Sequence, residues 1–187
     1  LIGRDAELAQ IGAAIDAARG TGRGLVVHLS GEAGIGKTRV AAEIGKGLAA
    51  GGASTHCVTF DAFGVNRRHL AQRIAAALPR PASGDAGPVE TAIRAWMWGD
   101  AADPATELRL SALSEEERHR RSLDVLARAM AGPSGFALTI EDLHWAPPGA
   151  ASYLLDLADR IASAPVVLLV TERPHEASLG PRLGTRG

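Results

Sequence analysis

The sequence predicts an α/β fold with three layers, in which a parallel sheet of at least four strands has helices on both faces. Two patterns predict it. Short apolar, β-branched runs alternate with segments whose apolar residues recur at helical spacing, and a glycine-rich turn separates the first run from the helix after it. The chain has 187 residues, which suits one domain and is too short for two full ones.

The N-terminal half is predicted to hold an entry helix and two strand–helix units. Each helix has apolar positions three and four residues apart, and each is followed by glycine or proline. The predicted elements are a helix at 4–19, a strand at 25–29, a helix with an apolar face from 40 to 48, a strand at 53–60, and a helix from 70 to 78 that Pro79 stops.

The C-terminal half is predicted to add two buried strands. Both are almost wholly apolar, which is typical of strands that are covered on both faces. The predicted elements are two short helices between 89 and 113, a helix that Ser114 opens, a strand at 136–140, a helix with an apolar face from 154 to 161, and a strand at 166–170.

Charge and cysteine content exclude several classes of function. Twenty basic and twenty-one acidic residues give a net charge of −1, so no summed field favours DNA or an anionic membrane. Cys57 is the single cysteine, so a reducing, cytoplasmic compartment is expected. No apolar run reaches the ~18 residues that span a bilayer. Because the chain begins at Leu1 rather than Met, we expect a piece of a longer protein.

Residues 31–38 read Gly-Glu-Ala-Gly-Ile-Gly-Lys-Thr and match the phosphate-binding loop G-x-x-x-x-G-K-[ST] between a predicted strand and a predicted helix. Glycines let successive backbone N–H groups point at phosphate oxygens, and the helix N-terminus adds partial positive charge. Lys37 is a catalytic candidate that reaches the β- and γ-phosphates, and Thr38 offers its hydroxyl to Mg²⁺. The expected nucleotide-binding residues are Gly31, Ala33, Gly34, Ile35, Gly36, Lys37, Thr38 and Arg39.

The second candidate site is the carboxylate pair Glu141-Asp142, directly after the strand at 136–140. Ligands of open parallel sheets bind at the C-terminal edge of the strands. By position, Glu141 is expected to hold Mg²⁺, and Asp142 to act as the catalytic base that orients or deprotonates the attacking water. The alternative is that both acids only end the strand and cap the next helix.

Arg173 follows the strand at 166–170 and is a further catalytic candidate. If that strand lies between the phosphate-loop strand and the acidic strand, Arg173 lies near the γ-phosphate and senses the charge lost on hydrolysis. The alternative is an exposed arginine before a proline. His144 is interpreted as a packing or solvent-facing residue that could also reach the attacking water, and Trp145 as a hydrophobic anchor.

Together these motifs resemble the ATPase module of the STAND group of P-loop NTPases. The most similar modules are the bacterial AAA+-like ones found beside class III adenylate cyclase domains, tetratricopeptide arrays or LuxR-type DNA-binding ends. The chain departs from that pattern at Pro147-Pro148, because the family usually continues Trp-Ala with an aspartate. The stretches that carry the resemblance are 1–8, 31–38, 112–118, 141–145 and 171–174.

The resemblance implies ATP or ADP and Mg²⁺ as cofactors, and a single P-loop ATPase domain over 1–187. Its adenine-proximal entry helix spans 1–22 and its core spans 23–187. It also implies contacts near the adenine from Ile2, Gly3 and Arg4. The fifth strand, helical lid and winged-helix domain of the group are not in this chain, so weak binding and slow turnover are expected.

Four functions stay open. The first is an ATP-hydrolysing regulatory switch in a larger bacterial signalling or transcription-regulatory protein. Its partners would be other domains of the polypeptide, with a homo-oligomer as a further option, and it would make no direct contact with nucleic acid or a membrane. The others are a nucleotide-bound structural module with little hydrolysis, a small-molecule P-loop kinase, and an interaction fragment with a vestigial site. The kinase is less favoured because no Arg-rich lid is evident in the sequence.

Overall fold

The structure is a computed structural model that describes residues 4–62, 69–81, 86–100, 103–132, 134–174 and 178–183. Every predicted strand and helix is present, with bounds shifted by a few residues at most. The strands are β1 (Leu25–Ser30), β2 (Ser54–Thr59), β3 (Phe136–Glu141) and β4 (Val166–Glu172). The helices are α1 (Asp5–Gly20), α2 (Lys37–Ala50), α3 (Leu70–Ala77), α4 (Pro88–Trp98), α5 (Pro104–Ser111), α6 (Glu115–Met130), α7 (Ala150–Ile161) and α8 (Leu179–Leu183), and a 3₁₀ turn spans Leu143–Trp145.

All strand pairs in the sheet are parallel, and the strand order is β1-β4-β3-β2. The last of the described strands, β4, therefore lies between the strand that leads to the phosphate loop and the strand that ends in the acidic pair. The predicted α/β class and the sheet order on which the role of Arg173 depends are both confirmed. Within the described residues, β1 is one edge of the sheet and β2 is the other.

The two faces of the sheet carry separate apolar clusters, which makes three layers. One cluster joins alternate residues of β3 and β4, such as Ala137 and Val167, to Val40 and Ile44 of α2 and to Ile15 of α1. The larger cluster covers the other face with α3, α4, α6 and α7. Successive side chains of a strand point to opposite faces, so this alternation fixes which face each later residue of β3 and β4 occupies.

Local sequence signals set several helix starts. Ser114 accepts a hydrogen bond from the Glu117 amide at 3.1 Å, as an N-cap serine does. Asp103 accepts from two amides at the start of α5, where Pro104 takes the first helical position. No helix in the described part of the chain is both long and apolar enough to cross a membrane.

Candidate functional site

The phosphate loop joins β1 to α2, and its shape depends on glycine at two positions. Gly34 and Gly36 have φ of 81° and 92°, a left-handed backbone that side chains other than glycine rarely adopt. A Cβ at Gly31 would lie 2.1 Å from Cδ1 of Ile35, which is the end of a side chain that is 40% exposed and can move away. The loop is further tied to the sheet by the Gly31 amide, which donates to the Glu172 carbonyl at 3.3 Å.

Lys37 is the first residue of α2 and its side chain lies inside the loop. It is 9% exposed, and Nζ donates to the carbonyls of Gly31 at 2.7 Å and Glu32 at 2.9 Å. The ammonium is thus held at the centre of the loop by neutral acceptors. An anion entering the loop would meet this charge together with the α2 N-terminus. Thr38 and Arg39 follow on the first turn and are exposed.

Arg4 lies against the phosphate loop, although it is 31 residues away in the chain. Its Nη2 donates to the Ile35 carbonyl at 2.9 Å, and its Nη1 pairs with Glu7 at the same distance. The structure therefore brings the residue expected near the adenine to the edge of the loop. Ile2 and Gly3, the other two residues of that expectation, lie outside the described residues.

The acidic pair stands at the C-terminal edge of β3, and Glu141 lies on the same side of the sheet as α2. Glu141 shares its face with Ala137, which packs against α2. In the register of the sheet, Ile140 of β3 pairs with Val170 of β4, so the next residues, Glu141 and Thr171, are also side by side. Thr171 in turn pairs with Leu29 of β1, and Glu141 pairs with Thr59 of β2. Thr171 is therefore the neighbour of Glu141 on the α2 face, between the acidic strand and the phosphate-loop strand.

The two carboxylates differ in their surroundings. Oε2 of Glu141 accepts a hydrogen bond from the Thr59 hydroxyl at 3.2 Å. Asp142 leaves the strand with φ of 55°, a conformation that aspartate tolerates better than most residues, and its amide donates to Oγ1 of Thr171 at 3.1 Å. The Asp142 side chain is 39% exposed. It makes no capping hydrogen bond to the described 3₁₀ turn that follows.

His144 and Arg173 meet next to Asp142. The Arg173 amide donates to Nδ1 of His144 at 3.4 Å, and the same nitrogen lies 4.0 Å from Oδ1 of Asp142. The His144 side chain is 9% exposed, as a packing residue would be. Trp145, interpreted as a hydrophobic anchor, is 42% exposed. The short 3₁₀ turn presents this ring at the surface, with its centroid 5.0 Å from that of His144.

Sequence reasoning missed a buried acid beside this site. Glu172 is fully buried, and its Oε1 accepts hydrogen bonds from Nε2 of His28 at 2.7 Å, from the Leu179 amide at 2.8 Å and from the Ser178 hydroxyl. Burial alone would raise the pKa of Glu172, but these donors outweigh it and lower the pKa to about 2. The available signal was a lone histidine in the apolar strand β1.

The residues present fit a Mg²⁺ ion that is shared with a phosphate ligand. No group of three or more His, Cys, Asp or Glu side chains that could hold a metal alone occurs in the described part of the chain. Mg²⁺ in phosphate-transfer sites needs only one or two protein oxygens, with water and phosphate supplying the rest. The Thr38 hydroxyl and the Glu141 carboxylate, at the loop and on the α2 face, are oxygen donors of this kind.

Comparisons with known proteins show the family and the fold of the chain. The family model described as "AAA ATPase domain" matches residues 1–170. An uncharacterized protein of Rhizobium meliloti strain 1021 is 31% identical over 201 residues, an alignment that covers 95% of this chain. Among solved structures, the Orc1 protein of Aeropyrum pernix, solved in complex with DNA, matches with a TM-score of 0.52 and 20% identity, over 99% of this chain. That likeness concerns the fold.

Both similar proteins are longer than this chain. The chain spans 19% of the length of the curated relative that it matches, and 43% of the Orc1 chain.

Proposed function

Because the chain belongs to the AAA ATPase domain family, we propose that it binds ATP with Mg²⁺ in the phosphate loop and hydrolyses it slowly to ADP and phosphate. The observation that carries this proposal is the position of β4 between β1 and β3. Strands two apart in a sheet are separated by about 10 Å. This leaves room for a terminal phosphate and a water between the phosphate loop and residues 141–145, the acidic turn.

Binding would rest on the loop and on Arg4. The Nζ of Lys37 would exchange the carbonyls of Gly31 and Glu32 for β- and γ-phosphate oxygens, a better match for an ammonium because the acceptors are charged. Backbone N–H groups of residues 33–38 and the α2 N-terminus would complete the cradle. The entry segment with Ile2, Gly3 and Arg4 would lie by the adenine, which the contact of Arg4 with the loop supports.

Hydrolysis would use the acidic turn. Asp142 is exposed enough to contact solvent, and its left-handed backbone turns it out of the strand, so its carboxylate can accept a proton from the attacking water. Thr38 and Glu141 would hold Mg²⁺, which would offset the negative charge of the phosphates. Thr171 would fix the Asp142 backbone, and Arg173 would stabilise or sense charge on the γ-phosphate.

The module would act as a switch in a longer bacterial signalling or transcription-regulatory protein. The low coverage of the longer relative supports a part of a larger polypeptide, whose other domains would be its partners. The Arg173 amide is tied to His144, next to the proposed water-activating acid. Loss of the γ-phosphate would remove the charge that Arg173 faces and so alter this turn, as in other nucleotide switches.

Two variants of the acidic pair test the proposal. Asp142→Asn is expected to keep ATP affinity and lose most turnover, and Glu141→Gln to weaken the Mg²⁺-dependent part of binding. The control Asp124→Asn changes an acid of α6 that pairs with Arg160, so it should leave ATP affinity and turnover unchanged. Phosphate release and calorimetry with and without Mg²⁺ are the measurements. Turnover at the parent rate in both site variants would refute the assignment, and binding without phosphate release would favour a structural module.

A further inference from the structure

The carboxylate of Glu172, at the end of β4, joins this strand to β1 and to α8 through one oxygen. Oε1 accepts from His28 on β1, from the Leu179 amide at the start of α8, and from the Ser178 hydroxyl just before it. The side chain belongs to the last residue of β4 and has no exposed surface. A buried carboxylate needs such donors, since leaving it unpaired in the interior is costly.

The neighbours of Glu172 in the chain contact the two halves of the proposed ATP site. Thr171 accepts from the Asp142 amide, and the Arg173 amide donates to His144. The Glu172 carbonyl accepts from Gly31, the first residue of the phosphate loop. Three consecutive residues therefore fix the acidic turn, the loop and α8 relative to one another.

Helix α8 packs directly on His28, the partner of Glu172. A Cβ added to Gly180 would lie 2.9 Å from Cε1 and 3.1 Å from Nδ1 of the imidazole. The ring has little freedom to retreat, because its Nε2 is held by the carboxylate at 2.7 Å. A displacement of α8 would therefore be passed to His28 and Glu172.

We propose that Glu172, held by His28, is a positioning residue of the ATP site. Through it, the position of α8 affects how the acidic turn is aligned with the phosphate loop. This inference rests on the proposed ATPase function. The loop amides and Lys37 would supply most of the affinity for ATP, whereas turnover also requires the water, Asp142 and the γ-phosphate to be in line. Loss of the coupling should therefore lower turnover more than binding.

The main test compares Glu172→Gln with a matched control. Glutamine keeps the shape of the side chain but cannot carry the charge, and we expect turnover to fall roughly tenfold or more, with ATP affinity within about threefold of the parent. Asp156→Asn changes another histidine–carboxylate pair, His119–Asp156 at 3.0 Å between α6 and α7, and should have the parent turnover. Parent turnover in Glu172→Gln, or an equal fall in turnover and affinity, overturns the proposal.

Variants of the partners separate positioning from a general loss of packing. His28→Ala removes the donor and should lower turnover, while His28→Gln restores an N–H donor and should recover part of it. Gly180→Ala pushes on the same imidazole without touching a charge and should also lower turnover. If Glu172→Gln does not fold, the His28 and Gly180 variants test the proposal in its place. Parent turnover in both His28→Ala and Gly180→Ala would overturn the proposal.

Hydrogen exchange tests the coupling independently of ATP. If the parent neither binds nor hydrolyses ATP, only the proposed function is refuted, and the exchange rates still test whether α8 and the phosphate loop are coupled. In Glu172→Gln, the amides of 31–37 and of 179–183 are both expected to exchange faster than in the parent. Gly180→Ala takes the place of this variant if Glu172→Gln does not fold. In the control Asp156→Asn, the same amides should exchange at the parent rate. Faster exchange in one segment alone, or in neither, overturns the proposal.

Discussion

The buried carboxylate of Glu172 should make the folded protein sensitive to acid. Its pKa is about 2 in the folded chain, against an ordinary value of 4.5. A carboxyl group with a lowered pKa stabilises the fold above its unfolded pKa, and that stabilisation is lost as the pH falls toward the folded pKa. Each pKa unit corresponds to about 1.4 kcal/mol, so the full contribution is about 3 kcal/mol. Between pH 7 and pH 3, about 2 kcal/mol of it should disappear.

Urea unfolding of the parent and Glu172→Gln at a series of pH values measures this contribution. At pH 7 the variant should be less stable, and the difference between the two proteins should shrink by about 2 kcal/mol by pH 3, because glutamine does not titrate. The control Glu43→Gln removes an exposed acid that pairs with Lys46, and its difference from the parent should stay small. A difference between parent and Glu172→Gln that is constant with pH would contradict the pairing of Glu172 with its three donors.

Two further predictions concern the fold. Because β1 is an edge of the described sheet, the amides of 25–29 should exchange faster in a dilute monomer than those of 136–140 in β3, and equal protection would mean that β1 is covered. Ile93 of α4 has no exposed surface in the larger apolar cluster, so Ile93→Ala should lower the free energy of unfolding by about 2–5 kcal/mol, as measured in urea. A cost below 1 kcal/mol would show that the cluster is loosely packed at this position.

The sequence predicted the fold well because its signals are local. Apolar runs and helical stripes mark β1 to β4 and the helices between them, and the phosphate loop is a contiguous motif that requires its glycines. The place of β4 between β1 and β3 was a condition for the role expected of Arg173, and the observed register meets that condition.

The contacts that the sequence did not reveal are those between distant residues. His28 and Glu172 are separated by 144 positions, and they meet only because β1 and β4 pair in one register. A shift of one residue would place their side chains on other faces of the sheet. The exposure of Trp145 was also not evident from the sequence, because it depends on the three-residue 3₁₀ turn in which this residue lies.

Binding of Mg²⁺-ATP by the loop around Lys37 underlies every functional step proposed above, and calorimetric titration of the folded parent and two lysine variants measures it. The chain has only two lysines, so Lys46→Ala, an exposed position paired with Glu43, is a matched control for Lys37→Ala. We expect Mg²⁺-dependent ATP binding by the parent and by Lys46→Ala, and no detectable binding by Lys37→Ala with an unchanged circular dichroism spectrum. A folded Lys37→Ala protein that binds ATP with the parent affinity would contradict it.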